Sequence, residues 1–427
     1  MPLADVGFRA LSLLPSRRQI LPDPRGCTPE MQTTTVRRLA SWFILGSMGR
    51  KSPRSLSRVP SVMNAVITHP DEATAEWLTA ALCEDGALSR GSVSEVTTLE
   101  TIRREWSCSR RLKVSYSPGS VGRRPEQLFL KIVNTLVDDE IILPSEVDYY
   151  RRDYVGVVGV PLVPCYGARY CGNSGYYYVL LDDVSATHVT YSEAAPIPID
   201  EARGFALMEG LAIMHAHLWG SARMAAAGYQ RQDPSIIDRF VGLARPGVKH
   251  IVGTWGDELL SGWPQAMRDI FVHLPGLLHA RSRHAGGFTV IHGDVGPENI
   301  FFPRQGGYPT FVIDRQPFDW SLSTWLGVYD AAFAMVLYWT PQDRRQLEER
   351  MLRRYHEVLV ARGVADYSLQ KLTEDYRLSI LTCLCVAAEW CRGGPNADTK
   401  RIWMPMLQRT MTAFDDLDCQ ALLRSSR

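Results

Sequence analysis

The stretch Val290–Asp314 constrains this chain more than any other. It opens Val290-Ile291-His292-Gly293-Asp294-Val295-Gly296-Pro297-Glu298-Asn299-Ile300-Phe301-Phe302 and passes through Arg304-Gln305-Gly306-Gly307. It ends Thr310-Phe311-Val312-Ile313-Asp314. Two apolar runs around a Gly-Gly turn read as a β-hairpin. Hairpin pairing sets the start of one strand beside the end of the other, so Asn299 and Asp314 converge, with Asp294 next to them. Two carboxylates and one amide oxygen, with no Cys and no His cluster, suit a hard cation such as Mg²⁺.

At 427 residues the chain has room for two or three domains of about 150 residues each. An apolar fraction of 45% and a charged fraction of 22% exclude wholesale disorder, a collagen-like chain and a disulfide scaffold. A net charge of +1 gives no chain-wide case for a nucleic-acid partner. The longest apolar run near the N-terminus, Leu39 to Met48, is interrupted by Ser41, Gly46 and Ser47. It falls short of the roughly 20 residues a bilayer span needs, so a soluble protein is predicted. Nine cysteines form no C-x-x-C pair, which removes a structural zinc site and points to reduced thiols in the cytoplasm.

Charge is unevenly placed. Residues 1–62 hold ten Arg and Lys against Asp5, Asp23 and Glu30, and they are rich in Ser and Pro. Three readings fit: a flexible basic tail, an organelle transit peptide, or a biological start at Met63. A secretory signal does not fit, because Asp5 and Arg9 break the apolar stretch it requires.

Beyond Met63 a mostly β part (63–181) precedes a mostly helical part (182–427). Helical spacing marks Asp71–Leu82, Pro144–Tyr154, Glu201–Trp219, Asp257–Leu278, Asp330–Tyr338, Asp343–Arg362, Tyr367–Cys391 and Ile402–Leu417. Strands are predicted at Val93–Ile102, Arg111–Tyr116, Gln127–Val133, Val160–Ala168 and Tyr176–Leu181. The sum is a two-lobed α+β arrangement.

His292-Gly293-Asp294 with Asn299, followed by Ile313-Asp314, resembles the catalytic loop and metal-binding aspartate of the aminoglycoside phosphotransferase and choline kinase-like superfamily, which shares the protein-kinase fold. Phe129-Leu130-Lys131-Ile132-Val133 resembles the strand with the phosphate-binding lysine, and Glu146 resembles its helix partner, with Glu140 as the rival. Tyr178-Val179-Leu180-Leu181-Asp182-Asp183 resembles the hinge. Leu211-Ala212-Ile213-Met214-His215-Ala216-His217-Leu218-Trp219 resembles a helix of the second lobe. The Glu-x-x-Tyr-Tyr and His-Ala-x-x-Trp features lean toward the ecdysteroid-kinase-like branch. The resemblance covers roughly residues 70–420.

That resemblance implies an ATP- and Mg²⁺-dependent phosphotransferase acting on a small-molecule alcohol. Asp294 would accept the acceptor proton, Asn299 and Asp314 would hold Mg²⁺, and Lys131, paired with Glu146, would touch the phosphates. The backbone around Leu181 and Asp182 would meet the adenine, and His292 would support the loop. Two departures stand out. The region Ile102–Arg111 contains no glycine, so the hydroxyls of Ser107 and Ser109, or the nearby arginines, are the substitutes for a Gly-rich phosphate loop. Arg315 stands where an aromatic is common, a charge expected beside the metal site. Both departures keep open a nucleotide-binding pseudokinase or scaffold. A protein kinase is disfavoured, since no activation segment or Ala-Pro-Glu follows Asp314.

His215 and His217 read as core-packing residues, and Asp330 as a helix cap or a brace for the catalytic loop. Glu374, Asp375 and Glu389 are the only candidates for an acidic cluster that would receive a polycation. Most tryptophans of the second lobe read as core or helix-packing residues; several of them lining the cleft would favour an apolar or ring-shaped alcohol instead.

Overall fold

The computed structural model describes residues 66–137, 140–192 and 199–424. The basic segment 1–62, with its three readings, and Cys27 lie outside the described residues.

Fourteen strands are described: β1 (Leu88–Arg90), β2 (Val93–Arg103), β3 (Ser107–Tyr116), β4 (Val121–Gly122), β5 (Gln127–Asn134), β6 (Leu136–Val137), β7 (Glu140–Ile141), β8 (Cys165–Cys171), β9 (Tyr176–Asp182), β10 (His188–Thr190), β11 (Phe288–Val290), β12 (Ile300–Pro303), β13 (Phe311–Val312) and β14 (Thr324–Leu326). The largest sheet is antiparallel in the order β2-β3-β5-β9-β8. Side chains alternate across it. Leu128, Leu130 and Ile132 of β5 join Leu112, Tyr178 and Leu180 on one face, beneath Leu78 and Leu82 of helix α1 (Ala75–Glu84). Each fully buried leucine there contributes about 1.5–3 kcal/mol. The alternation leaves Phe129, Lys131 and Val133 on the opposite face, which looks into the cleft.

The helix expected over Pro144–Tyr154 is α2 (Ser145–Asp148), continued by a π-helical turn over Tyr149–Asp153. The strand expected from Val160 begins only at Cys165. Pro161 and Pro164 interrupt the run, and their carbonyls accept from Val312 N (2.8 Å) and Asp182 N (2.9 Å).

The rest is largely helical: α3 (Glu201–His217), α4 (Gly220–Ala226), α5 (Pro234–Trp255), α6 (Trp263–Ser282), α7 (Val328–Tyr338), α8 (Pro341–Ala361), α9 (Leu369–Glu389), α10 (Lys400–Asp416) and α11 (Gln420–Arg424). Helix α9 packs against α5, α7 and α10. Pattern reading missed α5, whose interior Pro246 looks like a helix break. Asp233 caps it by accepting from Ser235 N at 2.7 Å, Pro234 opens it, and Ile237, Phe240, Val241 and Ile251 bury its apolar face. At Gly247 a Cβ would stand 1.8 Å from the Ala388 carbonyl oxygen, so glycine is what allows α5 to lie against α9.

Sheet and helices together form a bilobal, kinase-like α+β fold. Among the described residues no helix is long and apolar enough to cross a membrane.

Candidate active site

The Gly-Gly hairpin forms between β12 and β13, with Ile300 opposite Val312 and Phe301 opposite Phe311. Ile313 N donates to Asn299 O at 3.0 Å, extending the pairing to the residues before Asp314. Asn299 and Asp314 thereby line one cleft of about 910 Å³, together with Lys131, Glu146, Ser107 and Ser109.

The loop between β11 and β12 is held from below. Asp330, at the start of α7, accepts from His292 N (2.6 Å) and Gly293 N (2.9 Å), and its Oδ2 lies 3.0 Å from His215 Nε2. His215 Nδ1 meets the Tyr355 hydroxyl at 2.8 Å. Burial opposes ionisation of Asp330, but His215 and the backbone donors outweigh it and hold the carboxyl below its ordinary value. His215 is therefore more than a packing residue, and His217 is exposed rather than in the core. His292 Nε2 donates to Ile313 O at 2.9 Å, while Nδ1 accepts from Asp294 N at 3.3 Å. Burial lowers the His292 pKa to about 4, so the ring is neutral and suited to bracing the loop.

Asn299 Nδ2 donates to the Asp294 carbonyl (2.9 Å) and to Asp294 Oδ2 (3.0 Å), which fixes the carboxylate and turns the amide oxygen the other way. Burial, reinforced by the charge of Asp314, raises the Asp294 pKa to about 7. Lys131 Nζ lies 2.9 Å from Glu146 Oε2 and 2.6 Å from Asp314 Oδ1. Burial acts against the Lys131 charge, yet Asp314 and Glu146 raise its pKa well above the ordinary value. The Tyr177 hydroxyl donates to Glu146 Oε2 at 3.2 Å, a contact no sequence motif announced. Glu140, the rival of Glu146, sits on β7 and its side chain is outside the described residues.

The donor set suits Mg²⁺: Asn299 offers an amide oxygen and Asp314 a carboxylate, hard ligands that leave positions for phosphate and water. Asp314 has φ +62°, a left-handed conformation that aspartate tolerates better than most residues.

The glycine-free stretch is mostly strand, and its turn is only Arg104-Glu105-Trp106, closed by Arg104 N donating to Ser107 O at 2.8 Å. Ser109 pairs with Lys131 and Ser107 with Val133 across β3 and β5, so both serines share the cleft face. At the hinge, Leu181 lines a second, open recess with Phe129, Val184, Phe301 and Ile313. There the Asp182 amide donates to Pro164 O, and Asp183 N donates to Gln127 O.

Two further expectations are revised. The Arg315 side chain turns away from the Asp314 carboxylate and is buried, 3.0 Å from Asp153 and 2.9 Å from the Tyr229 hydroxyl. The acidic trio is no cluster. Asp375 is buried against Arg281 (2.6 Å) and Tyr367 (2.8 Å), Glu374 pairs with Lys371, and Glu389 pairs with Arg392.

No protein-family model and no curated protein matches the chain. Among solved structures it is similar to an aminoglycoside 2'-phosphotransferase-IIIa in complex with GDP, at 14% identity over 78% of this chain and 93% of that one, TM-score 0.43. It is similar to the choline kinase LicA from Streptococcus pneumoniae, at 13% identity over 76% and 94%, TM-score 0.38. A streptomycin–ATP ternary complex of APH(2")-IIa matches at 11% identity over 76% and 92%, TM-score 0.39. The kinase-like assignment rests on the strand order and cleft of this chain itself.

Proposed function

We propose that the chain is an ATP- and Mg²⁺-dependent phosphotransferase that phosphorylates a hydroxyl group of a small molecule. The observation that carries this reading is the convergence of Asn299, Asp314 and the Lys131–Glu146 pair on one cleft, with Asp294 tied to Asn299 at 3.0 Å. Asp294 orients the acceptor hydroxyl and takes its proton as the new O–P bond forms. The bond between the γ-phosphorus and the bridging oxygen breaks, and its electron pair leaves with ADP. Lys131 holds the phosphates, and Glu146 holds Lys131. Mg²⁺ bound through Asn299 and Asp314 supplies positive charge against the phosphate oxygens. The slot beside Leu181, lined by Phe129, Val184, Phe301 and Ile313, suits an adenine ring.

For the acceptor, the aromatic side chains Trp106 and Phe318, which line the cleft, favour an apolar or ring-shaped alcohol. Phe318 stacks on Trp320 at 5.2 Å and meets Trp106 edge-on at 6.0 Å. The absence of a carboxylate cluster among Glu374, Asp375 and Glu389 argues against a polycation. The test is a metabolite extract incubated with labelled ATP, wild type against Asp294→Asn. Labelled product from wild type alone supports the reading; none from any alcohol, with ATP still bound, moves the chain to a nucleotide-binding scaffold. The glycine-free turn Arg104–Trp106 is the observation that favours that second reading.

A further inference from the structure

Helix α2 with its π-turn is a weak element on its own account. It is four α-helical residues plus one wide turn, and no side chain caps its start. Three contacts on one face, at residues 146, 149 and 153, position it, beside a bond from Ser145 Oγ to Gln316 O at 3.0 Å. Glu146 meets Lys131, the Tyr149 hydroxyl donates to Val312 O at 3.3 Å, and Asp153 Oδ2 accepts from Arg315 Nη1 at 3.0 Å. All three lead to the end of β13 and the two residues after Ile313.

Asp314 and Arg315 are consecutive and face opposite ways. From a left-handed Asp314, one carboxylate oxygen reaches Lys131 and the next side chain turns into the core. There Arg315 is 3% exposed, and the Asp153 side chain is wholly buried. Asp153 also accepts from the Tyr229 hydroxyl at 2.6 Å and from Arg152 Nε at 2.9 Å, so neither carboxylate oxygen is left bare. A pair this desolvated is costly to separate, because either partner left alone is a buried charge. One dipeptide thus holds both ends of the helix: Asp314 through Lys131 to Glu146, and Arg315 to Asp153.

Building on the phosphotransferase reading, we propose that Arg315 is a positioning residue: its buried pair with Asp153 fixes the Glu146 helix, and with it Lys131, in the arrangement that receives the nucleotide phosphates. It touches neither phosphate nor metal. An aromatic side chain at 315 could fill the same space, but it would not tie the helix to the metal-binding strand end.

The test uses Asp153→Asn with Arg315→Met, which removes both charges together and leaves no orphan. The amide oxygen that the first substitution introduces still accepts from Arg152. Hydrogen exchange is followed in the nucleotide-free protein, and ATP and adenosine affinities are measured by calorimetry with Mg²⁺. Exchange over residues 146–154 is expected to quicken about tenfold or more, with α7 and α9 unchanged. ATP affinity is expected to fall about tenfold while adenosine affinity holds, because the phosphate-side contacts are the ones displaced. Wild-type exchange and wild-type ATP affinity in the double variant would overturn the proposal. Should the double variant fail to fold, Tyr229→Phe trims the same network by one hydroxyl. Faster exchange confined to 146–154 then supports the proposal, and none overturns it. A wild-type protein that binds no ATP would instead remove the phosphotransferase reading, with the exchange comparison still deciding whether Arg315 holds the helix.

Discussion

Asp294 carries opposite demands from folding and from chemistry. Its folded pKa, about 7, lies above that of an unfolded aspartate near 3.9. The folded chain therefore holds a proton the unfolded chain has released. That contribution to stability is complete below about pH 3.9 and is lost as pH rises through about 7. Above that, the ionised carboxylate is a burden on the fold and the base that the proposed transfer needs. Asp294→Asn is expected to raise the nucleotide-free melting temperature at pH 8 by a few degrees and to cut transfer by about 10²–10⁴-fold. A lower melting temperature would undo the burial argument, and near-normal transfer would take Asp294 out of the mechanism. In the wild type, kcat/KM should climb with pH to a plateau just above 7.

Asp330 has the reverse sign. Its pKa is depressed, so its contribution is present above the unfolded pKa and is lost as pH falls through the folded one. Asp330→Ala strands His215 and two loop amides, an expected loss on the order of 3 kcal/mol in urea unfolding at pH 7. The loss should shrink toward acid pH; a pH-independent difference would point to packing alone.

At the scale of elements, the hairpin β12–β13 was legible because everything that makes it is local: two short apolar runs, a Gly-Gly turn and polar residues at matched ends. The strand β5 was legible for the same reason. Helix α5 was not, because Pro246 and Gly247 argue locally against a helix and only tertiary packing overrules them. Gly247→Ala tests that contact. A methyl group driven onto a backbone carbonyl has nowhere to go, so a loss of about 3 kcal/mol or more is expected by chemical denaturation. Gly242→Ala, five residues earlier with open space around its Cα, should be neutral or stabilising. The direction of Arg315 was beyond any local reading. It follows from the left-handed turn at Asp314 and from partners 162 and 86 residues away in the chain. The partner of the Asp182 amide was beyond local reading for a similar cause, since Pro164 accepts it from outside the strand.

For the whole molecule, the cleft groups come from both sides: Lys131 and Glu146 from the sheet side, Asn299 and Asp314 from the hairpin side. A ligand bound there stabilises both at once. ATP with Mg²⁺ at 100 times its Kd should add about 2.7 kcal/mol to the folded state and move the melting temperature by ~2–4 °C in a single transition. Adenosine should give a smaller shift, and a split transition would show that the lobes unfold independently.

The alternation along β5 has a last consequence. A slip of one residue would trade Lys131 for Leu130, sending an ammonium group under α1 and a leucine into the cleft. Competence and correct alignment are therefore one event for this strand. Protein recovered from denaturant should divide into molecules that each take up one nucleotide and material that precipitates, with no soluble, inert remainder. Counting bound nucleotide per soluble chain after refolding would reveal such a remainder if it existed.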